Sequence, residues 1–550
     1  MPKIRLLTIK PVSQCRKQIR LRCLVWLPLL FLALLFSACT TLGPDFKKPS
    51  APVEKKWIEA DDPQIKAEPA DYSTWWHVLD DPVLDNLITI ACKQNLSLQV
   101  AGLRILEARA RLGIAIGLQY PQAQSLDGGY SFNKFSKNAP PLSEFPNDIR
   151  NQTDATANIY QAGFNAAWEL DFWGKFRRGV EAADASLAAS IAGYDTLLVL
   201  LTAEVSNAYV VIRTLEQRLE FANSNVEIQK RGLKIAEVRF KGGETTELDA
   251  QQARSLLRNT QSTIPVLEIS VRQAKNGLCV LLGIPPGDLS ALIKGPAPIP
   301  GVPSEVAIGI PADLLRRRPD IRLAEFQAAA QGALIGVAEA DLYPHFAIGG
   351  SIGFAVGNSN GLFNGDSLVG FFTPFSFRWD IFNYGRIKNN VRVQDARFEQ
   401  LLVTYQNKVL EAAREVEDGL VGFIQSQQQE KFLADAAQAA HRATQIALLQ
   451  YKEGLTDYTR VLNTQQLLVA QQDTLASSRG DIVRYLIAVY KSLGGGWESR
   501  VGKDIVSEQT IEAMGKRTDW GDLLTPISLP VEPKQPPTGK GVEVFNKPMW

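Results

Sequence analysis

Apolar residues recur along this chain with two distinct periods. In one long stretch they fall at Val205, Ala208, Ile212, Leu215, Leu219, Ala222 and Val226, then at Leu233, Ala236 and Phe240. Spacings of three and four put them on one helical face, the a and d seam of a coiled coil. No proline interrupts 174–264 or 375–525, and lone glycines such as Gly179, Gly193 and Gly232 weaken a helix without ending it. Helical arms are therefore predicted over 175–241 and 386–452, each reaching roughly 100 Å. The chain turns at Gly242-Gly243 and again at Glu453-Gly454, where glycine supplies the conformations a tight turn needs. Partner helices return to ends near Gly283 and Gly494, and Pro265 predicts a kink in the first of them.

The second period is two. Leu126, Gly128, Tyr130 and Phe132 share one face of a predicted strand, and so do Phe346, Ile348, Ile352 and Phe354. Phe164, Ala166, Trp168, Leu170 and Phe172 oppose Asn165, Glu169 and Asp171; Phe375, Phe377, Trp379 and Ile381 oppose Ser376, Arg378 and Asp380. Large apolar residues on one face and charges on the other fit a membrane barrel around water. A half-buried sheet of a soluble protein has the same alternation, so the choice rests on the export signal described below.

The chain is also written twice. "WELDFWGKFR" from Trp168 returns as "WDIFNYGRIK" from Trp379, 211 residues later. At that offset Tyr194 meets Tyr405, Glu204-Val205 meets Glu415-Val416, Gly243 meets Gly454, and Leu282-Gly283 meets Leu493-Gly494. Upstream, the Tyr-Pro turns at Pro121 and Pro344 match with a small shift. Each half reads as helix, strand, loop, strand, long helix, turn, long helix. Open sheet edges are not tolerated in lipid, and single-chain barrels begin at eight strands, so four strands need other copies to close. Two copies give eight strands around a filled interior; three give twelve with room for water, and an open channel favours three. The connecting loops 133–157 and 355–369 are polar and rich in turn residues, as exposed loops are.

At the N-terminus, seven basic and no acidic residues precede the short apolar run Leu24–Phe36, which ends at Ser37-Ala38-Cys39. About 13 residues span about 20 Å, too short for a bilayer core, so the segment reads as a secretory signal. Its end resembles a bacterial lipobox, apart from Phe36. That resemblance makes Cys39 the first mature residue, bearing N-palmitoyl and S-diacylglycerol lipid. Without residues 1–38 the net charge moves from +1 to −6, which excludes the basic excess of a nucleic-acid binder. Cys92 and Cys279 are then the remaining cysteines, too few for a disulfide framework, and His77, His345 and His441 are scattered. No metal-ligand spacing, phosphate-cradling loop or nucleophile motif is present, so the reading is not an enzyme and implies no cofactor beyond the lipid.

"CTTLGPDFKKP" from Cys39, "STWWHVLDDPVLDNLI" from Ser73, "NLSLQVAGLRILEARA" from Asn95, "RRRPDIRLAEFQAAA" from Arg316 and "GGGW" ending at Trp497 form an ordered set. Together they resemble the outer-membrane factor lipoproteins of bacterial multidrug efflux, the TolC and OprM type, over about residues 39–500. The resemblance implies a homotrimer: a twelve-stranded barrel in the outer membrane continuous with a long α-helical barrel in the periplasm. It further implies a periplasmic adaptor and, through it, an inner-membrane pump of the resistance-nodulation-division class. The implied work is passive, gated conduction of small toxic molecules.

Residue by residue, the resemblance matches Tyr451 to the family's gate tyrosine. Thr456 stands where some members have arginine, and Arg460 and Asn463 stand where well-known members have aspartates lining the constriction. An Arg460 ring would leave the entrance less cation-selective, unless Arg460 merely pairs with Asp457. Adaptor contacts are expected at the turns carrying Gly242, Gly243, Glu453 and Gly454. Glu169, Asp171, Arg378 and Asp380 are expected to line the barrel lumen. The organisation expected is a signal over 1–38, an extended tether over 39–72, a first repeat over 73–283, a linker over 284–310, a second repeat over 311–497 and a polar tail over 498–550. That tail is expected to be disordered or wrapped around the equator of the helical barrel. Type I protein-secretion and heavy-metal efflux channels share this architecture. The "GPDFKKP" and "GGGW" stretches favour small-molecule efflux, and Met514 and Met549, the only mature methionines, offer no soft-metal relay. A lipid-anchored coiled-coil adhesin would need neither the repeat nor the alternating strands.

Overall fold

A computed structural model describes residues 41–66, 71–140, 142–303, 305–308 and 317–525. In chain order, the short strand β1 (Ile65–Lys66) precedes helices α1 (Pro82–Gln94) and α2 (Leu96–Gly117). Strands β2 (Ala123–Lys134) and β3 (Thr156–Leu170) follow, with helix α3 (Asn147–Gln152) in their connection. A hairpin of α4 (Lys175–Lys241) and α5 (Glu247–Leu281) completes the first half. The short strand β4 (Val306–Ala307) leads to α6 (Pro319–Ala340), β5 (His345–Val356) and β6 (Leu368–Arg378). The second hairpin is α7 (Arg386–Lys452) with α8 (Tyr458–Ser492), and α9 (Glu508–Arg517) comes last.

The helical arms end where their glycines stand. Both long arms have 67 residues, both return helices 35, and each element starts 211 residues after its counterpart. Gly243 has φ +75° and Gly454 φ +74°, a left-handed conformation that costs other residues energy. Beyond them the N–H of Glu244 donates to the carbonyl of Arg239, and that of Leu455 to Gln450, closing the same helix-end motif twice. Helix α5 continues as one element through Pro265. An 18-residue window of α4 has a mean hydropathy of 1.5, enough by composition to cross a membrane, yet 56% of it is buried. Its apolar character belongs to the core.

Helix α4 packs along α5, α6 and α8, and α7 along α8 and α6, so the four long helices run in the order α5, α4, α8, α7. The outer two leave apolar side chains exposed: Leu248, Val266, Ile269 and Val280 on α5, and Val403, Leu410, Val421 and Phe432 on α7.

The four long strands form one antiparallel sheet in the order β2-β3-β5-β6. Leu126 lies opposite Phe164, which lies opposite Ile352; Trp168 lies opposite Ile348. This register gathers the predicted apolar face, with Asp127, Asn165, Glu169 and Ser351 on the other. Between β5 and β6 the register shifts: Gly349 meets Thr373 but Ala347 meets Ser376, so Ile348 faces both Pro374 and Phe375. Proline has no N–H for the ladder, and a bulge is where a sheet accepts it. The bulge also brings Phe372, opposite Gly350, onto the apolar face.

Where the return helices α5 and α8 end beside Ile191 to Ile212 of α4, the largest core forms around Trp75, Tyr72, Leu84, Ile105, Tyr209, Val483 and Leu486. Trp75 stacks on Tyr490 with centroids 5.5 Å apart. The stretch expected as a tether is laid down along this body. Arg178, buried on α4, donates to the carbonyls of Leu42 (2.9 Å) and Gly43 (3.0 Å) and to Asp45 (2.9 Å). A Cβ on Gly43 would come within 2.5 Å of the backbone of Gly336, so only glycine lets the strand pass. Farther along, Lys48 pairs with Glu325 at 2.6 Å, and β1 pairs in parallel with β4. The chain after Trp497 is also folded as far as Thr525: Val506, Met514, Trp520 and Leu524 pack on Leu106 of α2. Arg500 forms a buried ion pair with Asp195 of α4. Composition concealed this because polar residues outnumber the few apolar anchors.

Candidate gate and conduit

At the far end of the coiled coil the two hairpins are fastened to each other. Tyr451, in the last turn of α7, is 1% exposed, and its hydroxyl donates to Asp249 in the first turn of α5 at 2.9 Å. The guanidinium of Arg239, in the last turn of α4, lies 4.7 Å from the centre of the Tyr451 ring and also donates to the Tyr451 carbonyl. Glu244 holds Arg239 from the other side at 3.3 Å. Burial, then the bond to Asp249, pushes the Tyr451 phenol well above the usual range, so it stays a donor at physiological pH. Tyr458 of α8, also 1% exposed, meets the Tyr451 ring edge-on at 5.2 Å, and Ala236, Ala253, Ala447 and Val461 fill the space around them.

The expected constriction residues separate into two groups. Tyr451 is buried inside this fastening, while Thr456 is half-buried in the turn and Arg460 and Asn463 are exposed on one side of α8. Asp457 caps α8 by accepting the backbone N–H of Arg460 at 3.2 Å. Among the described residues the Arg460 guanidinium takes no ion-pair partner, so it does not pair with Asp457. Gly242, Gly243, Glu453 and Gly454 sit together on the exposed tip. Cys39 lies outside the described residues. Thr41 and Leu42, just after it, rest at the root of the sheet, where the Leu42 N–H donates to the Trp173 carbonyl at 3.1 Å.

At that root Glu169 accepts from the His345 imidazole at 2.7 Å, and Arg378 pairs with Asp380 at 3.1 Å just past the end of β6. Asp171 departs from the expectation that it lines open space. Its carboxylate accepts the N–H groups of Phe176 (3.0 Å) and Arg177 (2.9 Å) and pairs with the Arg177 guanidinium, capping α4 where Gly174 offers no side chain. Alternation alone does not separate a strand residue from a cap two positions later.

Sequence reading missed the residues between the hairpins. On α4 the side facing the second hairpin carries Arg218, Asn225, Gly232 and Arg239, each seven residues from the last. Arg218 pairs with Asp473 at 2.7 Å, and Asn225 donates to Gln472 at 2.7 Å. A Cβ on Gly232 would lie 3.2 Å from Gln465 and 3.6 Å from the Tyr458 hydroxyl. A strict heptad of non-apolar residues was the available signal, beside the apolar heptad of the same helix.

The family described as outer membrane efflux protein matches residues 87–284 and 310–495. The pyoverdine export outer membrane protein OpmQ of Pseudomonas putida is 29% identical over 442 residues, which cover 79% of this chain and 90% of OpmQ. The solvent efflux pump outer membrane protein SrpC of Pseudomonas putida is 29% identical over 482 residues, 85% of this chain and 97% of SrpC. The solved structure of the outer-membrane channel OprN is 30% identical, with a TM-score of 0.76 over 83% of this chain and 99% of that one. With both repeats matched and the fold shared nearly end to end, the chain belongs to the outer membrane efflux protein family.

Proposed function

We propose that this outer-membrane efflux channel works as a homotrimer, the exit duct of a tripartite pump, closed at its periplasmic tip by the Tyr451–Asp249 fastening. The observation that carries the reading is a chain with an open four-stranded sheet at one end and a locked coiled-coil tip at the other. Strands of 11 to 15 residues are long enough to cross a bilayer when tilted. Within the chain the halves meet through β3 on β5 and through α4 on α6 and α8. The corresponding pairs, β6 with β2 and α7 with α2 and α5, are not packed together within the described residues, and they would pack between neighbouring copies. Trp173 stacks on Tyr343 at 4.8 Å and donates to the Pro344 carbonyl at 2.9 Å. Its counterpart 211 residues on, Tyr384, is fully exposed, and the equivalent seat is Tyr120-Pro121 of the next copy.

No bond is made or broken in this work. An adaptor engaging the tips around Gly243 and Gly454 would part the fastening, and an inner-membrane pump of the resistance-nodulation-division class would supply the energy. Small toxic molecules are the cargo class, in keeping with relatives named for pyoverdine export and solvent efflux. Arg460 and Asn463, exposed on α8, would line the constriction, and three Arg460 side chains would oppose cations. Lipid on Cys39 would add a second tether beside the strap held by Arg178. Bilayer recordings test the gate: Tyr451→Phe, which removes the hydroxyl bonded to Asp249, is expected to raise conductance about tenfold. Unchanged conductance with an intact trimer would overturn the gate. Arg460→Asp is expected to increase cation preference, and Cys39→Ala to abolish labelling by radioactive palmitate.

A further inference from the structure

Just above the fastening, the seam between α4 and α8 holds three side chains that are buried and yet have nothing to bond. Gln229 and Gln465 are each 1% exposed, and neither amide oxygen nor amide nitrogen of either finds a partner among the described residues. The Tyr458 hydroxyl, 1% exposed, is in the same condition. Gly232 lets Gln465 and the Tyr458 hydroxyl approach the same point of α4, so these groups form one layer. Folded proteins rarely bury polar atoms this way, because each gives up its bonds to water without replacement. One turn farther from the tip the pattern changes: Asn225 donates to Gln472, then Arg218 pairs with Asp473. Beyond those, Ile212, Tyr209 and Val205 join Ile482, Val483 and Leu486 in the apolar core.

The seam is therefore graded: apolar and continuous near the sheet, bonded polar in the middle, and buried polar without bonds next to the tip. A groove of about 680 Å³ lined by Arg218, Asn225, Gln466 and Asp473 runs beside the middle section and brings solvent to its edge. We propose that the layer of Gln229, Gln465 and Tyr458 is a built-in bias toward opening, left without partners while the tips are fastened and reaching water when α7 and α8 swing away from α4. The swing pivots where the apolar core begins, near Thr214 and Gly480, whose Cβ would lie 2.2 Å from the Thr214 hydroxyl. This rests on the reading of Tyr451 and Asp249 as the gate. The fastening supplies the attraction that closes the tip, and the layer lowers the work of parting it.

Leucine fills nearly the volume of glutamine and gains nothing from water, so Gln229→Leu with Gln465→Leu should hold the seam shut. The experiment is single-channel recording of the full trimer in planar bilayers, in the native background and with Tyr451→Phe. Tyr451→Phe alone is expected to raise the open probability, and adding the leucine pair to lower it again about tenfold. If Tyr451→Phe alone changes nothing, the gate reading fails and the layer with it. If Tyr451→Phe opens the channel and the leucine pair leaves it open, the layer proposal fails while the gate stands. Should the leucine pair not assemble, Tyr458→Phe removes a single oxygen and carries the same test. It is expected to reduce openings several-fold, and unchanged or more frequent openings would overturn the proposal.

Discussion

Two seams run side by side through the coiled coil. Along the inner faces of α7 and α8 the buried residues toward the tip are mostly apolar, among them Ala437, Ala440, Ala447, Val461, Leu468 and Leu475, with one polar bond from the Thr444 hydroxyl to the Thr464 carbonyl at 3.1 Å. Along α4, where it faces α8 over the same length, they include Asn225, Gln229 and Gly232. An apolar contact is lost outright when helices part, at about 25 cal/mol for each Å² exposed. A polar contact exchanges its partner for water, so its net worth is only about 1 kcal/mol. Parting the helices within a hairpin thus costs more than parting the hairpins from each other. A coiled coil can be rigid along one seam and yielding along the next without any break in its helices.

The sharpest way to break this contrast is to damage the apolar seam. Phe423, fully buried in the core that joins α7 to α8, should cost about 3–5 kcal/mol as Phe423→Ala. Thermal unfolding would register the loss, and a rise in conductance at unchanged stability would contradict the division of labour. A smaller effect is expected from Arg239→Gln, which removes the cation from the Tyr451 ring and the bond to its carbonyl. It should favour the open tip by about 1–3 kcal/mol, seen as conductance, with little change in melting. Gly454→Ala and Gly243→Ala should each cost about 1–2 kcal/mol in melting, because both need positive φ. A large difference between them would mean that the two tips are less alike than their shared geometry implies. Least of all, Arg218→Gln should cost under about 1 kcal/mol, since its pair with Asp473 is half in solvent.

What the sequence made legible follows from where each signal lies. The arm boundaries were readable because a helix stops for local reasons: Gly243 and Gly454 each sit one residue past a cap and adopt a conformation others resist. The strands were readable because each has one apolar face. The α4–α8 seam was not, because a search for apolar periodicity passes over Arg218, Asn225, Gly232 and Arg239 by design. The bulge at Pro374 escaped because a one-residue shift in pairing depends on the neighbouring strand. Asp171 was misplaced because its partners, Phe176 and Arg177, belong to the next element. The packing of the segments around Arg178 and Met514 was legible only as an extended tether and as one of two alternatives for the tail, because their anchors are single residues far apart in the chain.

The equal lengths of the two hairpins carry an evolutionary consequence. Arg239 of one tip touches Tyr451 of the other, so both turns end at one level. Seven residues inserted into each arm of only one hairpin would carry its turn about 10 Å past its neighbour and separate that pair. A lineage that spans a wider or narrower periplasm must therefore lengthen or shorten both repeats in step, and the reach of the channel is inherited as one quantity written in two places.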